Sequence, residues 1–109
     1  MSAMDQAASL SRSAIEASIA TIEDEIRGLG VRRLRLFGSA ARDEARQGSD
    51  IDVLVEFEPG RKSYRRLLDL AELLEATLGR RVDLVTTESL SPHVGPHILA
   101  EARDVLRLA

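Results

Sequence analysis

Val31-Arg32-Arg33-Leu34-Arg35-Leu36-Phe37-Gly38-Ser39, a gap of ten residues, and then Asp50-Ile51-Asp52-Val53-Leu54-Val55-Glu56-Phe57 form the stretch on which the fold turns. In the first run Leu34 and Leu36 alternate with Arg33 and Arg35, the period of a strand with one apolar and one charged face. In the second, Ile51, Val53, Val55 and Phe57 share a face, and Asp50, Asp52, Leu54 and Glu56 share the other. Gly38-Ser39 ends the first strand, and the residues from Ser39 to Ala45 are predicted to form a short helix capped by Ser39. Gln47-Gly48-Ser49 reads as the turn into the second strand.

Upstream, Ile15, Ile19, Ile22, Ile26 and Leu29 step by four, three, four and three, which predicts an amphipathic helix over about 12–28 closed by Gly28 and Gly30. Met1 to Leu10 carries no such period and is expected to fray. Downstream, Pro59-Gly60 stops the second strand. Ser63 is a helix cap, and Leu67, Leu70, Ala71, Leu74 and Leu78 make an apolar stripe up to Gly79. Arg81–Thr86 reads as a third strand, with Val82 and Leu84 on one face and Asp83 on the other. Ile98, Leu99, Ala102, Val105 and Leu106 suggest a last helix. The expectation is one α/β (α+β) domain over 1–109 in the order α-β-α-β-α-β-α, its catalytic core at about 31–109. A small mixed sheet of three strands would carry helices on one face. The opposite, open face would bear Asp50, Asp52 and Asp83.

Composition narrows the function. The chain has 109 residues and no cysteine, which excludes disulfides, thiolate nucleophiles and Cys-ligated metals. No run of about 18 apolar residues exists to span a membrane, and no secretory leader is visible, so a cytoplasmic protein is expected. With 15 basic against 18 acidic side chains and three aromatics, neither phosphate neutralisation nor base stacking favours nucleic acid as a partner.

Asp50 and Asp52 stand two apart on a strand and so project from one face, about 6.5–7 Å apart at their Cα atoms. Carboxylates that close repel unless a cation lies between them. An all-oxygen donor set of this kind suits Mg²⁺ or Mn²⁺, with nucleotide phosphates as further ligands, and Asp83 on a neighbouring strand could complete the site. Gly38-Ser39, at a strand-to-helix junction, can bring backbone amides and a hydroxyl to a phosphate. Taken singly, Asp50-Asp52 could be turn chemistry and Asp83 a strand residue paired to Arg81 or Arg33. His93 and His97 straddle Pro96 without a third ligand and are expected at the surface.

Phe37-Gly38-Ser39, ten residues, Asp50-Ile51-Asp52 resembles the Gly-Ser-x10-Asp-x-Asp signature of the DNA polymerase β-like nucleotidyltransferases. The likeness is greatest to the minimal nucleotidyltransferases, and it continues through Arg81-Val82-Asp83-Leu84-Val85 and Glu88-Ser89-Leu90-Ser91-Pro92. The resemblance implies that Gly38 and Ser39 bind nucleotide phosphates and that Asp50, Asp52 and Asp83 are catalytic metal ligands. Ser49 joins the nucleotide-binding set, and Arg42 either clamps a phosphate or faces solvent. It further implies Mg²⁺ or Mn²⁺, an NTP substrate (ATP), and a HEPN-domain protein as partner, on which a tyrosine would receive AMP from an antitoxin. The chain departs from many relatives at Asp43, where they carry Gly. Some 80 residues from Val31 onward are spent on the core itself, so the acceptor is expected to be a folded protein docking over the open face. A binding antitoxin that acts by contact alone and a small-molecule nucleotidyltransferase are the alternatives.

Overall fold

The computed structural model describes residues 11–45 and 49–107; the expected fraying of Met1–Leu10 and the Gln47-Gly48 part of the turn lie outside them. The elements, in chain order, are α1 (Arg12–Ala20), α2 (Glu23–Gly28), β1 (Val31–Phe37), α3 (Gly38–Ala41), β2 (Ile51–Phe57), α4 (Tyr64–Leu78) and β3 (Val82–Thr86). A 3-10 turn (Thr87–Ser89), α5 (Gly95–Glu101) and β4 (Arg103–Arg107) follow.

The four strands lie in the order β3-β2-β1-β4, with β1 antiparallel to both β2 and β4 and β2 parallel to β3. The mixed sheet is as expected, but it has a fourth strand. Val105 and Leu106 do not continue a helix: α5 ends at Glu101, Ala102 swings to φ −65°, ψ 140°, and the chain runs back along the free edge of β1. A helical period and a five-residue strand are compatible with the same apolar positions here. The unpaired N–H and C=O row of β1 decides between them. Arg33 on β1 adds a fork to Asp104 on β4, Nε to Oδ1 at 2.6 Å and Nη2 to Oδ2 at 3.1 Å.

The N-terminal helix also differs from expectation, because it breaks in two at Thr21-Ile22. The Thr21 hydroxyl donates to the Ser18 carbonyl at 2.6 Å, the bond that draws Ser and Thr out of regular helix. Glu23, Asp24 and Glu25 then place negative charge in the first turn of α2, where the dipole favours it. The apolar face survives the break, with Ile15, Ile19, Ile22 and Ile26 all buried. These isoleucines, together with Leu70 and Leu74 of α4, cover Leu34, Leu36, Ile51, Val53 and Val55 on one side of the sheet. The α4 ends follow the sequence: Ser63 Oγ accepts from Arg66 N–H at 3.1 Å, and Gly79 closes the helix at φ 68°. Tyr64, at its first position, is 77% exposed.

The short helix after β1 is a single turn rather than a segment reaching Ala45, and Phe37 is its N-cap; Ser39 sits inside it and caps nothing. Asp43 stops it at φ 62°, a left-handed conformation that Asp tolerates better than most residues. Its carboxylate Oδ1 accepts from the backbone N–H of Arg12 at 2.7 Å, while Arg12 Nη1 donates to the Ala41 carbonyl at 2.8 Å. Asp43 thus supplies an open N–H of α1 with an acceptor. Replacement D43A removes that acceptor and leaves Ala at positive φ, an expected loss of about 1–2 kcal/mol in urea unfolding. D43G loses the acceptor without the strain and should cost less; an alanine variant as stable as the glycine one would contradict this assignment.

Candidate functional site

The ladder brings two of the three candidate carboxylates side by side. Asp52 on β2 is the register partner of Phe37 on β1 and of Asp83 on β3. Neighbouring strands lie about 4.8 Å apart, and parallel partners point to the same face. Asp50 stands just ahead of β2, with Oδ1 3.5 Å from Arg81 Nε, an ion pair at the surface. Asp83 is exposed, and among the described residues it has no ion pair: Arg81 goes to Asp50 and Arg33 to Asp104. Asp52 is half-buried. Burial pushes its carboxyl above the usual range, and the negative charges of Asp83, Asp50 and Glu101 push it further, against a smaller pull from Arg42.

Gly38 touches this group directly. It turns the chain at φ 66°, and a Cβ placed on it would run into Asp52 Oδ2. Only glycine meets both conditions. The Gly38 N–H donates to Glu101 Oε1 at 2.9 Å, and Glu101 Oε2 accepts from Arg42 Nη1 at 2.8 Å. Arg42 also reaches Glu44 Oε1 at 3.1 Å, so its guanidinium lies between two carboxylates instead of projecting free. Ser39 N–H and Oγ have no partner among the described residues. Ser49 is half-buried beside Asp50.

The chemistry of this donor set fits a divalent cation. Burial first, and then the charges of Asp83, Asp50 and Glu101, raise the proton affinity of Asp52, as expected of a carboxylate set among negative neighbours. The side chains as placed do not yet converge: among the described residues, no three His, Cys, Asp or Glu stand close enough together to hold a metal ion. Asp50, turned to Arg81, is the one of the three that carries an ion pair.

Other candidates fall elsewhere. His93 and His97 are exposed, as expected. Arg33 and Arg35 share the open face but are taken up by Asp104 and Glu56, and that face is not bare, since Leu54 between Arg35 and Val85 is 1% exposed. A cavity of about 490 Å³, lined by Arg27, Gly30, Val31, Glu58, Pro59 and Arg61, opens at the start of β1. The carboxylates lie at its other end, about 20 Å away along seven residues of strand. Sequence reasoning passed over Glu101. Its position, 63 residues from Gly38, carries no local signal, and only the turn from α5 into β4 brings it there.

Comparison with known proteins shows the family. Residues 19–105 match the family model described as a nucleotidyltransferase domain. A Methanocaldococcus jannaschii protein with the provisional name protein adenylyltransferase MJ0435 is 49% identical over 80 residues, 71% of this chain and 82% of that protein. Protein adenylyltransferase MntA of Thermococcus cleftensis is 42% identical over 88 residues, 80% of this chain and 88% of its own. A solved structure described as a minimal nucleotidyltransferase superposes with a TM-score of 0.68 at 39% identity, over 84% of this chain and 89% of that one. The fold is shared too by a Shewanella oneidensis MNT antitoxin complexed with a tri-AMPylated HEPN toxin, at a TM-score of 0.63 and 21% identity, over 88% and 72%. The chain belongs to the nucleotidyltransferase domain family, as a minimal nucleotidyltransferase.

Proposed function

We propose that this nucleotidyltransferase transfers AMP from ATP to a tyrosine hydroxyl of a HEPN-type toxin, with a divalent cation (Mg²⁺ or Mn²⁺), and so acts as an antitoxin. The observation that carries the reading is the contact of Gly38 with the Asp52 carboxylate, beside Asp83. It brings together the turn read as the phosphate site and the carboxylates read as the metal ligands, which supports the reading. The names of the relatives support AMP as the transferred group, and the toxin complex, in which the HEPN protein itself carries AMP, supports the acceptor.

In this reading Asp50, Asp52 and Asp83 would hold the cation, which supplies charge neutralisation on the triphosphate and lowers the pKa of a bound hydroxyl. Ser39 donates its N–H and hydroxyl to phosphate oxygens. The acceptor oxygen attacks the α-phosphorus, the bond from that phosphorus to the bridging oxygen breaks, and pyrophosphate leaves. Asp83, exposed and without an ion pair among the described residues, takes the hydroxyl proton directly or through water.

Replacement of Asp50 or Asp52 by Asn keeps shape and removes a ligand charge, so transfer of labelled AMP to purified partner should fall at least about 10²-fold. Full turnover in the double Asn variant would contradict the metal-ligand assignment. D83N should cut turnover more than ATP affinity. An untransferring D83N protein that still fully neutralises the toxin would favour neutralisation by contact, and label found only on RNA or a small molecule would exclude the protein acceptor.

A third expectation concerns pH without metal. The Asp52 pKa is raised in the folded protein, so the folded state binds that proton more tightly than the unfolded chain, and stability falls as pH rises from the unfolded to the folded pKa. Metal-free D52N should therefore melt higher than wild type at pH 7, and the gap should close below about pH 3.5. A lower melting temperature for D52N at pH 7 would contradict the repulsive cluster.

A further inference from the structure

Glu101 is used at both of its carboxylate oxygens, one on the Gly38 N–H and the other on Arg42. Gly38 is thereby held from two sides, by Glu101 at its amide and by the Asp52 oxygen that occupies the space where a Cβ would stand. Its neighbour Ser39 keeps both donors unengaged among the described residues. With Gly38 N–H spoken for and Arg42 matched by Glu44 and Glu101, Ser39 offers an amide and a hydroxyl at this corner to an incoming anion. The Arg42 pairing has a second effect. A bare Glu101 carboxylate would add one more negative charge beside Asp52, in a place that must accept a polyanion, and the guanidinium offsets that charge.

We infer that Glu101 is a positioning residue for nucleotide binding: it braces the Gly38–Ser39 turn so that Ser39, and not Gly38 or Arg42, meets the nucleotide phosphates. The inference rests on the nucleotide-binding reading above and deepens it. It also assigns Arg42 a different task from a phosphate clamp, which is to neutralise the brace. Two groups can therefore be separated by substitution. E101Q keeps a carbonyl oxygen for the Gly38 N–H and drops the charge, whereas E101A loses the acceptor altogether.

The test is calorimetric titration of ATP with Mg²⁺ into purified wild type, E101Q, E101A and R42A, with melting temperatures measured in parallel. E101A should weaken ATP about tenfold, the size expected for losing a hydrogen bond that involves a charged group. E101Q should stay within about twofold of wild type, because the acceptor is retained. R42A should weaken ATP, and adding E101Q to it should restore binding. S63A, which removes the N-cap of α4 beyond the Phe57 end of β2, is the stability control: it should lower the melting temperature and leave ATP affinity unchanged. Where E101A does not fold, E101D, one methylene shorter, carries the same expectation of weakened binding. Wild-type ATP affinity in E101A or E101D overturns the inference, as does an E101Q protein as weak as E101A. Tighter binding in E101A overturns it in favour of a carboxylate that competes with phosphate. Absence of ATP binding by wild type would instead remove the nucleotide-binding reading itself.

Discussion

The antiparallel register of β1 and β2, in which Leu36 faces Val53 and Phe37 faces Asp52, is set by which side chains the core will accept. Leu34, Leu36, Val53 and Val55 are all buried under the helices. A slip of one residue would carry this whole set to the other face and turn Asp52 into the core, at a cost no small domain could absorb. The parallel pairing of β2 with β3 adds the second constraint by placing Asp83 next to Asp52. Apolar burial on one face thus dictates where the carboxylates stand on the other. The site is a consequence of the core.

At the end of β1 that register meets a backbone demand. Gly38 has to turn at positive φ within contact of Asp52, and the amide it exposes is met by Glu101 from the far end of the chain. Negative charge accumulates here in a way that stability alone would not favour. Among the described residues Asp50, Asp52, Asp83 and Glu101 outnumber the basic groups paired with them, Arg42 and Arg81, and burial together with these charges raises the proton affinity of Asp52. Such an excess is what a site built to receive a cation together with a phosphate chain requires.

Much of this was legible in the sequence because it is local. The alternation in Val31–Phe37 and Asp50–Phe57, the Ser63 cap and the Gly79 stop of α4 each follow from a few adjacent residues, and the structure agrees with them. The parity of Asp52 and Asp83 followed from the same alternation. What sequence could not reveal depended on partners far along the chain. Val105 and Leu106 fit a helical stripe, and only the free edge of β1 makes them a strand. The break at Thr21 preserved the isoleucine face, so its period gave no warning. Ser39 looks like a cap, yet the cap lies two residues sooner, at Phe37. Leu54, on the polar face by parity, is buried, and Glu101 is functional through a contact 63 residues away.

The central claim is that Asp50, Asp52 and Asp83 receive a divalent cation beside a triphosphate held at Ser39. Crystals grown with Mn²⁺ and a non-hydrolysable ATP analogue, measured at the manganese absorption edge, address it most directly. The account predicts an anomalous peak within ligand distance of the Asp52 and Asp83 carboxylates, Asp50 released from Arg81, and phosphate oxygens on Ser39 N–H and Oγ. A triphosphate seated in the Arg27–Arg61 cavity, or manganese bound away from Asp52, would contradict it.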